Sequence, residues 1–272
     1  MKKLFALVMS LVMVAACFAA CGNNDSGATE PDQIEKKTIV VGCTLYEPMN
    51  YKDENGELVG FDTELAEAVF ANLGYDVNFQ LIDWSARYTD LNSGAIDCIW
   101  NGFTANSSDD DGVARSEKVD FSYNYMENRQ VVVVKNDSGI SSAEDLNGKM
   151  GGVESASAGE SYASSFEGAT VKGFDYQTTA LMEVLAGTVE FAVVDAQLAK
   201  SYCGKGDYES LGIVEGLSSN VEYYAIGFEK GSELTALVNE QLEALAADGT
   251  IAALAEKYGV ATTAITDFSD QK

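Results

Sequence analysis

The chain has 272 residues, of which 46% are hydrophobic, so it is long enough for two domains with a substantial buried core, and general disorder is excluded. Its formal net charge is −26 at pH 7, which argues against nucleic-acid binding, because affinity for the phosphate backbone depends on Lys and Arg. The absence of histidine removes Ser-His-Asp and Cys-His catalysis and zinc sites of the HExxH type. Catalysis by carboxylates remains open.

The N-terminal segment has the pattern of an export signal. Two lysines precede an apolar run from Leu4 to Ala20, and the polar stretch GNNDSGATEPDQIEKK follows. The sequence FAAC looks like a bacterial lipobox, whose cysteine is lipidated and becomes the new N-terminus. We therefore expect residues 1–21 to be a lipoprotein signal peptide, with Cys21 as the lipid attachment site. Cys17 in VAAC is the alternative, but apolar residues follow it, whereas a flexible linker at 22–37 follows Cys21. An uncleaved anchor helix is also open, because the run is near the lower length for a membrane span.

Three further cysteines, Cys43, Cys98 and Cys203, show no paired CxxC spacing. An odd number without that spacing supports neither a disulfide framework nor a zinc site. Cys43 and Cys98 lie in apolar strand-like runs, where cysteine behaves as a small hydrophobic residue. We therefore expect no metal site.

From Thr38 onward, short β-type runs alternate with helical patterns. The run TIVVGCT is followed by a hairpin with Asn55 and Gly56 at its turn, and then by a helix for which Asp62 is the expected N-cap and Gly74 the glycine after its C-terminus. Next come the strand DVNFQLI, the helical stretch SARYTDLNSG and the strand AIDCIW. This β-α-β-α-β order predicts an α/β fold with parallel strands and right-handed crossovers.

A second set of the same kind begins at RQVVVVK. It continues through a short helix capped by Ser142, the strand KMGGVE, a helix around Ala163, the strand ATVKGF, the helix TTALMEVLAG and the strand FAVVDA. The pattern then changes to one more strand, VEYYAIGF, a long amphipathic helix capped by Ser232, and a short helix, TIAALAEKYG. The final segment, TTAITDFSDQK, has no readable pattern.

Ligands of open α/β sheets bind outside the carboxyl ends of the strands, so the loops after VVGCT, CIWNG, GGVE and AVVD are the places to expect a site. Tyr46 and Trp84 follow two of the strands and could form flat apolar walls, although a single such Tyr is more often a core residue. Gly102 allows close approach to the backbone, and Thr104 offers a hydroxyl. Asp195 ends a buried strand, where it could either cap the next helix or pair with a ligand amine.

Arg115 has two alternative roles. It could offset a neighbouring acid on a solvated loop, which is the commoner fate of a lone surface charge, or it could bind an anion. The segment SASAGE adds backbone N–H groups at the start of a helix, which suit a carboxylate. A cation, a helix N-terminus, an acid and two aromatic side chains together describe a cavity for a zwitterion such as a free α-amino acid. Arg115 would then hold the α-carboxylate and Asp195 the α-ammonium, since an enclosed charge must be paired.

Six stretches occur in the order found in a known protein family: ENGELVGFDTELAEAV, LNSGAIDCIWNGFT, RSEKVDFSYNYMENRQVVVVK, SGISSAEDLNGKMGGVE, FAVVDAQLA and LEALAADGTIAALAEKYG. They span about Thr38 to Gly259. In this ordered set the sequence closely resembles the polar amino-acid group of bacterial extracytoplasmic solute-binding proteins, family 3, which are the receptors of ABC importers.

The resemblance implies a periplasmic-binding-protein-like fold of type II, in which two Rossmann-like α/β lobes are joined by a two-segment hinge and the ligand lies between them. By position, lobe I would comprise 38–127 and the return segment 221–272, and lobe II would comprise 128–220. The crossing segments would lie near Glu127 to Gln130 and near Ser219 to Glu222.

The resemblance also implies the roles of individual residues. Tyr46 and Trp84 match the family's ring sandwich, and Asp195 matches its ammonium-binding acid, with Arg115 as the carboxylate clamp. The remaining matches are Asn101, Gly102 and Thr104, in the segment that takes the ammonium and carboxylate groups, and Ser157 and Ala158, in the second-lobe loop whose backbone binds carboxylate.

The chain departs from the family pattern at three places. The usual arginine position is occupied by Asp109, so Arg115 matches only if SSDDDG contains an insertion, and the downstream match of RSEKVDFS favours that alignment. We expect Asp109 to Asp111 to be solvated, because three consecutive acids lack the spaced ligands of a calcium loop. The second-lobe loop has Ala156 where a glycine is usual. No acid lies just before Tyr46, where receptors for basic amino acids commonly carry one, so lysine and arginine are less expected as ligands, although the overall negative charge could still favour cations by steering.

The resemblance implies a receptor that is lipid-anchored to the outer face of the bacterial cell membrane. It would bind a free polar L-amino acid, close over it by hinge motion and present it to the membrane permease. Such a protein would be a monomer without cofactor or catalytic residues, and nucleic acid would not be a partner. An enzyme on the same scaffold, such as a carboxylate-dependent dehydratase, is one alternative, with Glu154 as the candidate for an unpaired acid in the cleft. A sensory or adaptor module is the other, although such domains usually continue into a membrane span.

Overall fold

The computed structural model of the protein describes residues 37–272, so the expected signal peptide, Cys17, Cys21 and the expected linker up to residue 36 lie outside the described residues. The described chain is mixed α/β and builds two lobes, each around a five-stranded sheet. In that part of the chain, no helix is both long and apolar enough to cross a membrane.

The secondary-structure elements follow the expected order, except that a strand at Leu211–Ser218 was not expected and VEYYAIGF forms two strands instead of one. Residues 38–121 form β1 (Thr38–Cys43), β2 (Tyr51–Lys52), β3 (Leu58–Val59), α1 (Phe61–Asn72), β4 (Asp76–Leu81), a 3₁₀ turn (Trp84–Ala86), α2 (Arg87–Asn92), β5 (Cys98–Ile99), α3 (Arg115–Lys118) and β6 (Asp120–Phe121). Residues 126–218 form β7 (Met126–Asn128), β8 (Gln130–Lys135), a 3₁₀ turn (Glu144–Leu146), β9 (Met150–Glu154), α4 (Ala158–Ser164), β10 (Thr170–Phe174), α5 (Gln177–Ala186), β11 (Phe191–Asp195), α6 (Ala196–Tyr202), a 3₁₀ turn (Gly206–Tyr208) and β12 (Leu211–Ser218). Residues 222–271 form β13 (Glu222–Tyr224), β14 (Gly227–Phe228), α7 (Glu233–Ala247), α8 (Thr250–Lys257) and a 3₁₀ turn (Ser269–Gln271).

The sheet of lobe I has the strand order β4-β1-β5-β14-β6. β1 pairs in parallel with both β4 and β5, as the alternating pattern predicts, and β14 returns antiparallel from the C-terminal part of the chain. Helix α1 packs on this sheet and against α7 and α8. Cys43 and Cys98 are fully buried in or beside its strands and unpaired, which confirms their expected behaviour as small apolar residues.

The sheet of lobe II has the order β10-β9-β11-β8-β12. β9 pairs in parallel with β10 and β11, which repeats the arrangement of the first sheet. The expectation that RQVVVVK opens this parallel set is wrong, because β8 runs antiparallel to both β11 and β12. Parallel neighbours need a crossover connection, whereas β8 enters the sheet directly from the segment that joins the lobes.

The parallel strands of both sheets end at the same place, where the lobes face each other. Trp84 follows β4 and Gly102 follows β5 in lobe I, while Ser157 follows β9 and Asp195 ends β11 in lobe II. All four line one cavity. The carboxyl ends of two separate sheets therefore supply the walls of a single site.

A two-stranded ribbon connects the lobes. β7 and β13 pair antiparallel, with Asn128 opposite Glu222 and Met126 opposite Tyr224. These strands overlap the two crossing segments expected from the sequence. The exact lobe boundaries stay a prediction.

The final segment of the chain packs along this ribbon. The Glu127 N–H donates to the Thr263 carbonyl oxygen at 2.8 Å, and Met126 forms an antiparallel bridge with Ala264. From lobe II, Gln197 Nε2 donates to the Thr263 hydroxyl at 2.9 Å. A segment without a readable pattern thus acts as an additional edge of the ribbon, in contact with α6.

Two local expectations in the first half of the fold are wrong. Helix α1 begins after Gly60, so Asp62 lies within its first turn and is not the N-cap. Ser142 precedes a 3₁₀ turn instead of capping a helix. Two others are confirmed: the Ser232 hydroxyl caps α7, and Gly74 follows α1 with a φ of +81°.

Phe268 makes an apolar contact between the final segment and the rest of the lobe. It is 4% exposed and stacks on Tyr123, with 5.7 Å between the ring centroids. Phe268→Ala is expected to lower the free energy of unfolding by about 3 kcal/mol, because both the transfer energy of the ring and the cavity left behind contribute. Urea unfolding followed by circular dichroism measures the change. The exposed Thr266→Ala serves as control and should stay within about 0.5 kcal/mol of the parent. A similarly small effect for Phe268→Ala would contradict the packing role.

Candidate functional site

A cavity lies between the lobes and is lined by residues of both. Every residue expected at the ligand site except Tyr46 lines it: Trp84, Asn101, Gly102, Thr104, Arg115, Ser157, Ala158 and Asp195. The remaining lining residues are Gln130, Glu154 and Gln177. Positions that are far apart in sequence are therefore brought to one enclosed space, with contributions from both lobes.

Tyr46 does not line the cavity. Its side chain is 2% exposed, and its hydroxyl shares a 2.7 Å hydrogen bond with that of Tyr224. The ring packs against Gly102, where an added Cβ would lie 2.7 Å from the ring carbon Cε1. Gly102 also has a φ of +56°, so glycine is required there for both space and backbone conformation. Tyr46 thus supports the loop that carries Gly102.

Asn101 and Gly102 use their polar groups within lobe I. Asn101 Nδ2 donates to the Thr44 carbonyl oxygen at 2.9 Å and to Asn50 Oδ1 at 2.7 Å. The Gly102 N–H donates at 2.8 Å to the carboxylate of Asp62. These bonds fix the loop after β5, and they leave the Asn101 amide N–H groups and the Gly102 N–H engaged by protein partners.

Asp62 therefore has a long-range role in place of the expected capping role. Its buried carboxylate accepts from the Tyr125 hydroxyl at 2.9 Å as well as from Gly102. Burial raises the pKa of Asp62 to about 7, against the lowering effect of these hydrogen bonds. The side chain connects α1 and the segment before β7 to the loop that lines the cavity.

Arg115 begins α3 and is almost fully buried, with 1% exposed. Its Nε donates to Asp109 at 2.9 Å, and its Nη1 donates to the Thr104 carbonyl oxygen at 3.2 Å. Its Nη2 reaches across to lobe II and donates to the Ala156 carbonyl oxygen at 3.4 Å. A guanidinium has more N–H groups than these contacts use, so Arg115 keeps donors for an anion in the cavity.

The expectation that the run from Asp109 to Asp111 is solvated is wrong for Asp109. Its carboxylate pairs with Arg87 at 2.7 Å, with Arg115 at 2.9 Å and with Lys118 at 2.9 Å. Burial would raise the pKa of Asp109, but the hydrogen bond from Lys118 and the neighbouring cations outweigh it and lower the pKa to about 2. Two buried guanidinium groups need a shared counter-ion, and Asp109 supplies it.

In lobe II, the loop after β9 has an unusual backbone. Ala156 has a φ of +60°, a conformation that favours glycine, and its N–H donates to Glu160 at 2.6 Å. Ser157 caps α4 by accepting from the Glu160 N–H at 3.1 Å. This reciprocal arrangement resembles a capping box and holds the loop against the cavity.

Asp195 stands at the N-cap position of α6, yet its carboxylate makes no capping hydrogen bond. It accepts instead from Gln130 Nε2 at 2.7 Å and from the side-chain amides of Asn128 and Gln177. Burial raises the pKa of Asp195, while these amide hydrogen bonds lower it. The Asp195 side chain therefore does not cap α6 and instead lines the cavity, and its ligand role stays a prediction.

Sequence reasoning assigned no site role to Gln130, Gln177 or Arg87. Gln177 follows β10, so the rule used for the other strands would have found it if the loop after ATVKGF had been included. Arg87 stacks 5.0 Å from the ring centroid of Trp84 and donates to the Trp84 carbonyl oxygen at 2.8 Å. Its only signal in the sequence is a lone arginine three positions after a loop tryptophan.

Glu222 of the ribbon is a further acid near the cavity. It accepts from Gln130 at 2.9 Å, from Asn128 at 3.3 Å and from the Thr104 hydroxyl at 3.4 Å. Burial and the nearby Asp195 raise its pKa to about 7. Glu222 thus joins lobe I, the ribbon and lobe II.

Residues 39–261 match the family described as bacterial extracellular solute-binding proteins, family 3. The chain is 30% identical to the arginine-binding extracellular protein ArtP of Bacillus subtilis (strain 168), over 91% of this chain and 96% of that protein. It is also 30% identical to the L-cystine-binding protein TcyA of the same organism, over 95% of this chain and 97% of that protein. Among solved structures, an ancestral arginine-binding protein bound to arginine superposes with a TM-score of 0.74 at 36% identity, over 82% of this chain and 98% of that one.

Asp109→Asn is expected to lower the free energy of unfolding by about 3 kcal/mol at pH 7, because the buried Arg87 and Arg115 lose their shared counter-ion. The neighbouring Asp110→Asn, at an exposed position, is the matched control and should change it by less than about 0.5 kcal/mol. Chemical denaturation measures both. Because the folded-state pKa of Asp109 lies below the ordinary value of about 3.9, its contribution should be present at neutral pH and be lost as pH falls from about 4 to 2. Equal, small effects of the two variants would contradict the ion-pair assignment.

Ala156→Gly is expected to raise the free energy of unfolding by about 1 kcal/mol, because glycine adopts the left-handed conformation without the steric penalty of a Cβ. Thermal unfolding measures the gain. Ala261→Gly, at an exposed position without a positive φ, is the control and should lower stability by up to about 1 kcal/mol. A loss of stability in both variants would show that Ala156 is not strained.

Proposed function

Because the chain belongs to family 3 of the bacterial extracellular solute-binding proteins, we propose that it is the substrate-binding component of an amino-acid ABC importer. The observation that carries this proposal is a guanidinium and a carboxylate on the wall of one enclosed cavity, Arg115 from lobe I and Asp195 from lobe II. Arg115 binds the α-carboxylate of a free L-amino acid, and Asp195 binds its α-ammonium group. Trp84 forms an apolar wall beside the ligand.

The ligand closes the cleft by bridging the lobes. Its two charged groups pair with residues of opposite lobes, so the closed form gains contacts that the open form lacks. One contact of the protein itself already crosses the same gap, from Arg115 to the Ala156 carbonyl oxygen. The ribbon of β7 and β13 is the hinge, and the closed form is the one presented to the permease.

The proposed location of the protein is the outer face of the cell membrane. Cys21 carries the lipid and holds the protein, as a monomer, at the outer face of the bacterial cell membrane. A diacylglyceryl group carries two acyl chains and therefore meets the requirement of two lipid chains for stable anchoring.

A second candidate function, an enzyme on the same scaffold, is favoured by one observation. Glu154 lines the cavity, and burial together with the nearby Asp195 raises its pKa to about 8. A carboxyl group that is protonated at neutral pH could protonate a leaving hydroxyl, which would depart as water, while the adjacent carbon loses a proton to solvent and its C–H electron pair forms the double bond. Incubation with a panel of hydroxylated carboxylic acids, followed by ¹H NMR, tests this. Dehydration by the parent but not by Glu154→Gln would favour the enzyme.

The receptor proposal is tested by thermal unfolding of the chain from Gly22 onward, with each free amino acid at millimolar concentration. The protein is first unfolded and refolded to remove any ligand carried through purification. A ligand bound at micromolar Kd should add about 4 kcal/mol at a thousandfold excess, which raises the midpoint clearly. If no amino acid raises it, the proposed function is wrong.

Arg115→Gln is expected to weaken binding of the amino acid found in that screen by about a hundredfold or more, because the charge-assisted hydrogen bonds to the α-carboxylate are lost. Isothermal titration calorimetry measures the Kd. Asp195→Asn tests the ammonium contact independently and should also weaken binding. This second variant keeps the test decisive if Arg115→Gln reduces stability. Asp110→Asn removes one charge from the exposed loop and should bind like the parent. Unchanged affinity in both site variants would contradict the assigned roles.

A further inference from the structure

Glu154 is a buried acid on the cavity wall for which the zwitterion leaves no partner. It ends β9, and 5% of the residue is exposed. None of the ion pairs among residues 37–272 includes it. The groups that act on it electrostatically are Asp195, Arg87, Asp83 and the Gln177 amide.

The basic groups of lobe I are already engaged by an acid. Arg87 and Arg115 both contact one oxygen of Asp109. The α-carboxylate of one ligand is therefore enough to accept hydrogen bonds from the remaining N–H donors of Arg115. The opposite wall of the cavity carries two acidic groups, Glu154 and Asp195, and a single ammonium can pair with only one of them. Burial and the nearby Asp195 favour the protonated form of Glu154 when no ligand is bound, so a cationic group of the ligand is needed to stabilise Glu154 as a carboxylate.

The arrangement of lobe II separates the two acids. Gln177 donates to the Asp195 carboxylate, accepts from the Asp195 N–H at 2.8 Å, and also interacts with Glu154. Asp195 is the acid next to the amides of Asn128 in the ribbon and Gln130 in β8, whereas the surroundings of Glu154 include Arg87 and Asp83 of lobe I. An amino acid whose ammonium group meets Asp195 would extend its side chain past Gln177 toward Glu154.

The acidic character continues beyond this point. An adjoining cavity is lined by Leu81, Ile82 and Asp83 of lobe I and by Asp175 and Tyr176 of lobe II. It borders the first one, because Asp83 precedes Trp84 and Tyr176 precedes Gln177. Two carboxylates on either side of this space favour a cation in it and oppose an anion.

We propose that Glu154 binds a cationic side chain, so that the receptor selects amino acids of the arginine and lysine type over neutral amino acids of the same size. This inference rests on the proposed function. It reverses the expectation drawn from the missing acid before Tyr46, because lobe II supplies the acid from the end of β9 instead.

The test compares arginine with citrulline, a neutral side chain of nearly the same shape, by calorimetric titration of the refolded protein. The parent is expected to bind arginine at least about tenfold more tightly than citrulline, since the guanidinium pairs with a desolvated carboxylate. Lysine and norleucine form a second pair with the same expectation. Similar affinities within both pairs would overturn the inference.

Glu154→Gln keeps the shape of the side chain and removes its charge. In this variant the preference for arginine over citrulline should fall to about threefold or less, mainly through weaker arginine binding. Glu167→Gln is the matched control, because it makes the same substitution at an exposed position of lobe II outside the cavity, and it should keep the parent's preference. An unchanged preference in Glu154→Gln would assign selectivity to another residue.

The outcomes separate this inference from the proposed function. If neutral amino acids bind the parent and cationic ones bind no better, the receptor function stands and the role of Glu154 is wrong. If no amino acid binds, the proposed function fails and the inference fails with it. If Glu154→Gln does not fold, the arginine and citrulline affinities of the parent still decide the question.

Discussion

Two buried arginines beside the cavity share one carboxylate, that of Asp109, and the site depends on this contact. Asp109 fixes Arg115 through Nε and leaves part of its guanidinium turned to the cavity. It also holds Arg87 against Trp84, so the same acid orients both the basic clamp and the aromatic wall. Without it, two desolvated positive charges would face each other across the loop, and burial of either would be strongly unfavourable.

The rest of the site follows the same principle, in which a polar group facing the cavity is held by partners behind it. Asp62 fixes the Gly102 loop, Ser157 and Glu160 fix the loop after β9, and side-chain amides fix Asp195. The walls belong to different lobes, and the ribbon between them is short. A zwitterion whose carboxylate meets Arg115 of lobe I and whose ammonium group meets Asp195 of lobe II would connect the two lobes.

Much of the fold could be predicted from the sequence, because the succession of strands and helices along the chain, and the residues at which strands end, follow from hydrophobic patterning. The rule that ligands meet the carboxyl ends of strands correctly selected the loops after β5, β9 and β11, but it also selected the loop after β1, which does not line the cavity. The rule fails where a contact is set by tertiary structure alone. Asp62 looks like a helix cap but reaches Gly102, and Asp109 looks solvated in a row of three acids but is enclosed by Arg87, Arg115 and Lys118. No local pattern encodes those partners, which come together only when the loops fold.

The most direct test of the account is a crystal structure of the refolded protein with the amino acid that most raises its unfolding midpoint. We expect one ligand between the lobes, with its α-carboxylate about 2.9 Å from the Arg115 guanidinium and its α-ammonium group at a similar distance from Asp195. The side chain should run past Gln177 toward Glu154. Density for the ligand outside this cavity, or within it but with the carboxylate away from Arg115, would contradict the central claim.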